Sequence, residues 1–206
     1  MATNIFISFR YSDGNRYKKE LEELFKNSDK VIDYSEDVDR KNLSDITIQN
    51  YLYDKLKRCG VIIVILTPKA INYNYANGKY DDWLYDELRY GLEDRDGNRT
   101  KGVIAIYTQD AKPMIIEDTY HKCDKCNELK KSIKVKEIDN LVYKNQFNIL
   151  SKYKKNKCDD LYDTLFDCYI PLISYEDFKD NFDYYIDVAV KNKNRSNEFD
   201  VKKRMD

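Results

Sequence analysis

The stretch Tyr80-Asp-Asp-Trp83-Leu-Tyr-Asp-Glu87-Leu-Arg-Tyr90 holds the only tryptophan of the chain, four residues ahead of a glutamate. On a helix that spacing sets both side chains on one face, one turn apart, so a carboxylate lies beside a large aromatic ring. This is the best catalytic constellation in the sequence. A plainer reading makes Trp83 a core residue and Glu87 an ordinary surface acid, and spacing alone leaves both open.

Other chemistry-bearing residues are weaker. His121-Lys-Cys123-Asp-Lys-Cys126 contains a zinc half-site with a possible third ligand. A structural zinc wants four ligands, and the next thiol, Cys158, is some thirty residues away. Reduced, non-ligating cysteines are therefore expected, with no metal. The pair does not sit at a strand-to-helix junction as a thioredoxin-type motif would. With 1 histidine in the chain, a multi-histidine metal centre is excluded and a histidine triad has one place to form. Neither Gly-x-Gly-x-x-Gly nor Gly-x-x-x-x-Gly-Lys-Ser/Thr occurs among only 6 glycines, so phosphate is not cradled by a glycine-rich loop. The run Lys152-Tyr-Lys-Lys-Asn-Lys157 precedes an acidic stretch, and 36 basic against 37 acidic residues give a net charge of -1. A solvated loop or an intramolecular complement fits that run better than nucleic acid, which is not an expected partner.

The elements that must position Trp83 and Glu87 follow from periodicity. Asn4 to Phe9 reads as a strand, Arg10 to Asn15 as a loop, and Tyr17, Leu21, Leu24 and Phe25 as one face of a helix from Asn15. Lys30 to Tyr34 is a weaker strand, Ser35 to Asn42 is polar, and Ile46, Ile48, Tyr51, Leu52 and Leu56 mark a helix capped by Ser44 or Asn42. Val61-Ile-Ile-Val-Ile-Leu66 lacks alternation, which predicts a strand buried on both faces at the centre of a parallel sheet. A Tyr- and Asn-rich loop, a helix over Tyr80 to Glu93 and a strand over Val103 to Tyr107 complete a βαβαβαβ order. That order predicts an α/β fold of flavodoxin-like type, an open parallel sheet with helices on both faces. In such sheets ligands bind at the carboxyl ends of the strands, which directs attention to the loops after Phe9, Tyr34, Leu66 and Tyr107.

Beyond Thr108 the pattern weakens. Residues 111–192 read as a largely helical extension packed on a domain of residues 1–110, with 193–206 a frayed tail. Leu161, Leu165, Cys168 and Leu172 form one helical stripe, and Tyr175, Phe178, Phe182, Tyr185 and Ala189 the next. A length of 206 residues with 42% hydrophobic content suits a folded core, the apolar runs are too short to span a membrane, and no signal peptide precedes the first strand. A cytoplasmic location is expected. Of the 28 aromatics 19 are tyrosine, an excess shared with Asn, Lys, Ile and Asp and read mostly as coding bias, with Tyr11 after the first strand and Tyr80 and Tyr85 around the Trp83-Glu87 turn set apart from it.

Residues 1–110 resemble a known family. Ile5-Phe-Ile-Ser-Phe-Arg-Tyr-Ser-Asp13 is similar to the first strand and loop of TIR and TIR-like domains, Trp83-x-x-x-Glu87 resembles their Trp-x-x-x-Glu motif, and Val61 to Thr67 resembles their central strand. More narrowly, the chain resembles the bacterial TIR-like proteins of Thoeris anti-phage defence. The resemblance implies cleavage of NAD+ between nicotinamide and ribose, with Glu87 catalytic and with Ser8, Phe9, Arg10, Tyr11, Asp45 and Trp83 around the substrate. Arg10 would meet the pyrophosphate, Asp45 a ribose, and Phe9, Tyr11 and Trp83 would exclude water. NAD+ is then a substrate and no resident cofactor is implied. The implied product is a cyclic ADP-ribose isomer or related signal, the implied partners a phage-derived trigger and a separate, sirtuin-like effector reached through that signal. A non-enzymatic TIR scaffold, a plain NAD+ hydrolase acting by depletion and a flavodoxin-like binder of another nucleotide are the competing readings.

Overall fold

The computed structural model describes residues 2–35, 44–95, 97–122, 127, 129–156 and 161–205. In chain order the elements are β1 (Thr3–Phe9), α1 (Tyr11–Lys26), β2 (Val31–Asp33), α2 (Asp45–Arg58), β3 (Val61–Leu66), a 3-10 turn at Pro68–Ala70, β4 (Tyr75–Ala76) and β5 (Lys79–Tyr80). They continue with α3 (Trp83–Leu92), β6 (Gly102–Tyr107), α4 (Lys112–Ile115), β7 (Ile116–Lys122), β8 (Leu129–Val135) and α5 (Leu141–Lys144). The chain closes with β9 (Leu172–Ser174), α6 (Tyr175–Asp180), α7 (Phe182–Asn194) and a 3-10 turn at Ser196–Glu198.

Five strands form one sheet in the order β2-β1-β3-β6-β9, every pair parallel. All six residues of β3 are buried, as its unbroken β-branched run predicts. Alternation sorts its side chains: Phe6, Ile62, Val64, Val103 and Ala105 meet α2, α3 and α5, while Ile5, Ile7, Ile63, Ile65 and Ile104 meet α1, α6 and α7. The α/β architecture with helices on both faces stands as expected. Ser44 caps α2, its Oγ accepting from the Thr47 amide at 3.3 Å. No helix among the described residues is long and apolar enough to cross a membrane.

Several expectations are corrected. Helix α1 begins at Tyr11, not Asn15, because Gly14 carries no side chain where Phe9 packs, 3.2 Å from where a Cβ would sit. The stripe Leu161 to Leu172 is not a helix. Polar side chains hold that backbone in turns: Asp163 Oδ1 accepts from the amides of Leu165 and Phe166, Asn192 donates to the carbonyls of Leu165 and Cys168, and Gln146 donates to that of Ile170. Leu172 then opens β9, so the segment expected to be an extension supplies the fifth strand of the sheet. The next stripe is divided at Asn181 into α6 and α7. The last residues are not a solvated tail: Phe199 and Met205 are buried, Phe199 meets the Tyr169 ring at 5.6 Å, and Asn145 exchanges hydrogen bonds with the Lys202 backbone. In the C-terminal half β7 and β8 also pair antiparallel.

Helix α7 lies so close to the sheet that a Cβ on Gly102 would stand 2.6 Å from the carbonyl oxygen of Ala189. Backbone cannot yield there as a flexible side chain would. Gly102→Ala is expected to destabilise the protein by about 1–3 kcal/mol, read as a lower urea midpoint at unchanged slope.

Cys59 and Cys168 are buried free thiols, and burial pushes them up to about 11 and about 12 respectively. Neither is expected to react with a thiol reagent in the native protein at pH 8, where unfolding in denaturant releases both. The raised folded values favour the neutral thiol, so their contribution is complete below pH 9 and is lost as pH rises from there through about 11 for Cys59 and about 12 for Cys168.

Candidate functional site

Strand β1 delivers Ser8 to the same face as Phe6, two residues earlier, and therefore toward α3. There Ser8 Oγ donates to Glu87 Oε2 at 2.6 Å, with both residues buried. Glu87 is 6% exposed, whereas Trp83, one turn before it, is 39% exposed. This inverts the plainer reading of the motif, since the carboxylate is inside and the tryptophan at the rim. A carboxylate in such a place is costly to bury without hydrogen bonds, and surface solubility does not account for it.

Helix α3 is aimed by the residue before Trp83. Asp82 Oδ1 accepts from the Leu84 amide at 2.9 Å as the amino-terminal cap, and Oδ2 accepts from the Asn74 amide at 2.8 Å. The same Oδ2 takes an ion pair from Arg10, directly after β1, and the Asp82 side chain is only 1% exposed. One buried carboxylate thus ties the end of β1, the start of α3 and the loop before it. On its other flank α3 is clamped to α2 through Asp86, which accepts from Gln49 at 2.9 Å, from the Tyr53 hydroxyl at 2.8 Å and from Arg89 at 2.7 Å. Tyr53 stacks on Tyr90 at 3.7 Å. Burial first, and then the bond to Asp86, hold the Tyr53 phenol above its ordinary range.

Of the expected site residues, the structure brings Ser8, Arg10, Trp83 and Glu87 to the carboxyl end of β1 and the first turns of α3. Arg10 is engaged by Asp82 and not turned out for an anion, although its Nε has no hydrogen-bond partner. Phe9 belongs to the opposite face, packed under α1 with the Tyr11 ring 6.4 Å away. Tyr11 is 75% exposed in the first turn of α1. Asp45 is exposed in the first turn of α2, and that helix reaches α3 through Gln49 and Tyr53 instead.

The sequence reading missed Asp82 and Asp86, and of an aromatic cluster it singled out only Tyr80 and Tyr85. An aspartate immediately before a helical run is a capping signal and would have found Asp82. Asn77-Gly78 between Tyr75 and Tyr80 is the signature of a two-residue hairpin, and both residues have positive φ, 52° and 79°. That hairpin brings Tyr75 and Tyr80 together with Tyr73 and Tyr85, rings edge to face or tilted at 5.0 to 6.2 Å, beside α3. The cysteine cluster Cys123, Cys126 and Cys158 lies outside the described residues.

At the carboxyl end of the sheet the geometry therefore offers a buried carboxylate bonded by a hydroxyl donor, a guanidinium directly after β1 and a rim of aromatic rings. Compared with known families, residues 6–113 match the model described as Thoeris protein ThsB, TIR-like domain.

Proposed function

Because the chain belongs to this TIR-like family of Thoeris ThsB proteins, we propose that it is a defence enzyme that cleaves the nicotinamide-ribose bond of NAD+. Glu87 is the catalytic residue. Breaking that bond develops oxocarbenium character on the ribose while nicotinamide departs neutral, so no general acid is needed and a single carboxylate suffices to hold the ribose and stabilise the cation. A buried carboxylate does this better than an exposed one, since low local polarity strengthens its attraction for the developing charge. The observation that carries the reading is the burial of Glu87 on its bond from Ser8, at the end of a strand where open sheets bind ligands.

Trp83 and the tyrosines beside α3 keep water from the anomeric carbon, so that a hydroxyl of the adenosine half attacks instead and a cyclic ADP-ribose isomer is released. The product is a signal for a separate effector, and a phage component triggers its synthesis. NAD+ is the substrate and no metal takes part.

Ser8 orients the carboxylate. Ser8→Ala removes a hydrogen bond to a charged group, worth about 1.5–3 kcal/mol, and nicotinamide release is expected to slow by about ten- to a hundred-fold at unchanged fold. Equal rates for wild type and Ser8→Ala, measured by chromatography of nicotinamide, would show that Glu87 does not work through this bond.

A further inference from the structure

Strands β7 and β8 take no part in the central sheet and form a two-stranded sheet of their own, past residue 113, where the family match ends. Two strands alone are marginal in water and persist where something covers them. At the base something does: Ile116 is buried, and Ile133 and Val135 pack on the core. Farther out the same face continues as Asp118, Tyr120 and Lys122 on β7 with Leu129 on β8. There Tyr120 is 71% exposed and Leu129 68%.

The register shows which backbone groups of β7 are left over. The Lys136 amide donates to the Ile115 carbonyl at 2.7 Å, and these two residues stand opposite each other, one step before the Ile116-Val135 pair. Hydrogen-bonded and non-hydrogen-bonded pairs alternate along an antiparallel ladder. Ile115, Glu117 and Thr119 therefore point their N–H and C=O groups at β8, whereas Asp118, Tyr120 and Lys122 point theirs outward. Among the described residues no backbone hydrogen bond from another element reaches that outer edge. The sequence of β8 guards its own edge with Lys130, Lys131 and Lys134, since like charges resist pairing. β7 instead carries opposite charges, Asp118 and Lys122, at equal distances on either side of Tyr120.

We propose that the outer edge of β7 is a docking surface for β7 of a second copy of this chain, in an isologous antiparallel pair centred on Tyr120. That register sets Tyr120 against its counterpart and each Asp118 against the partner's Lys122, and all of these positions turn their backbone groups outward. Aromatic and opposite-charge cross-strand pairs are those that stabilise an antiparallel ladder. A pair centred on Thr119 would set Asp118 against Tyr120 and Lys122 against Ile116, so charge selects the register. The result is a four-stranded sheet, β8-β7-β7-β8, that depends neither on Glu87 nor on cleavage of NAD+. So short an edge buries far less than the about 1,600 Å² of a standard interface, and the dimer forms reversibly with concentration.

Sedimentation equilibrium of the whole chain over a concentration series tests this, with a monomer–dimer association expected. Tyr120→Pro removes an outward amide that β8 does not use, at a position where an edge strand accepts proline. It is expected to weaken the dimer about ten-fold or more at unchanged circular dichroism, through loss of the central pair and its hydrogen bonds. Asp118→Lys brings like charges together on both sides of the axis and is expected to weaken the dimer comparably. Combining Asp118→Lys with Lys122→Asp only exchanges the signs, and is expected to restore it. A monomer at every concentration, a dimer indifferent to Tyr120→Pro, or a double reversal that associates no more tightly than Asp118→Lys alone overturns the proposal.

Discussion

Glu87→Gln is expected to lower the rate of nicotinamide release from NAD+ by about a thousand-fold, the scale seen when one preorganised electrostatic partner of a transition state is removed. The substitution is nearly isosteric, so the bond from Ser8 has an acceptor to keep and α3 retains its cap. What goes is the negative charge. In a site where Glu87 is buried, no solvent carboxylate or water dipole replaces it, and the ribosyl cation forms without a counter-charge. KM is expected to change little, because a charge that matters only as the bond breaks does not contribute equally to substrate binding. Near-equal rates for the two proteins, with circular dichroism and Tm unchanged, would remove Glu87 from the chemistry.

Asp82→Ala has the next largest expected effect, on the fold as much as on turnover. Asp82 caps α3, fixes the Asn74 amide and neutralises Arg10, whose side chain is itself mostly buried. Truncation leaves a buried guanidinium without a counter-charge, which costs about 3–5 kcal/mol in comparable cases, with loss of the helix cap adding about 1 kcal/mol. Since whole domains hold only about 5–15 kcal/mol, the variant is expected to be partly unfolded at 37 °C. Asp82→Asn keeps a capping acceptor and the acceptor for Asn74 while losing the charge, so it should fall between wild type and Asp82→Ala in urea unfolding. If Asp82→Ala unfolds at the wild-type urea midpoint, Asp82 does not hold these three elements together.

Much of this was legible in the sequence, and the reasons differ by element. β3 declared itself because a strand buried on both faces tolerates no polar residue, and α3 because Leu84 and Leu88 recur at helical spacing. Ser44 was readable as a cap because its hydroxyl does a local job. The burial of Glu87 was not readable, since it depends on Ser8, 79 residues away in sequence and brought near only by the sheet. The stripe from Leu161 to Leu172 misled because its apolar spacing is helical while its backbone is satisfied from a distance, by Asn192 and Gln146. β9 escaped for a related reason: three residues pairing with Ala105 to Tyr107 carry too little local pattern to stand out. The carboxyl terminus was read from its charges, whereas Phe199 and Met205 decide its placement. The tyrosine excess, read mostly as coding bias with Tyr80 and Tyr85 set apart, includes a cluster at the Asn77-Gly78 hairpin that stands beside α3.

The central claim is that Glu87 makes an ADP-ribose signal from NAD+. Mass spectrometry of nucleotides from cells expressing the wild type or Glu87→Gln, with and without phage, tests it most directly. A cyclic ADP-ribose isomer accompanied by nicotinamide, present in infected wild-type cells and absent from infected Glu87→Gln cells, is the result expected. The same nucleotide profile in both, or no ADP-ribose-derived product in infected wild-type cells, contradicts it.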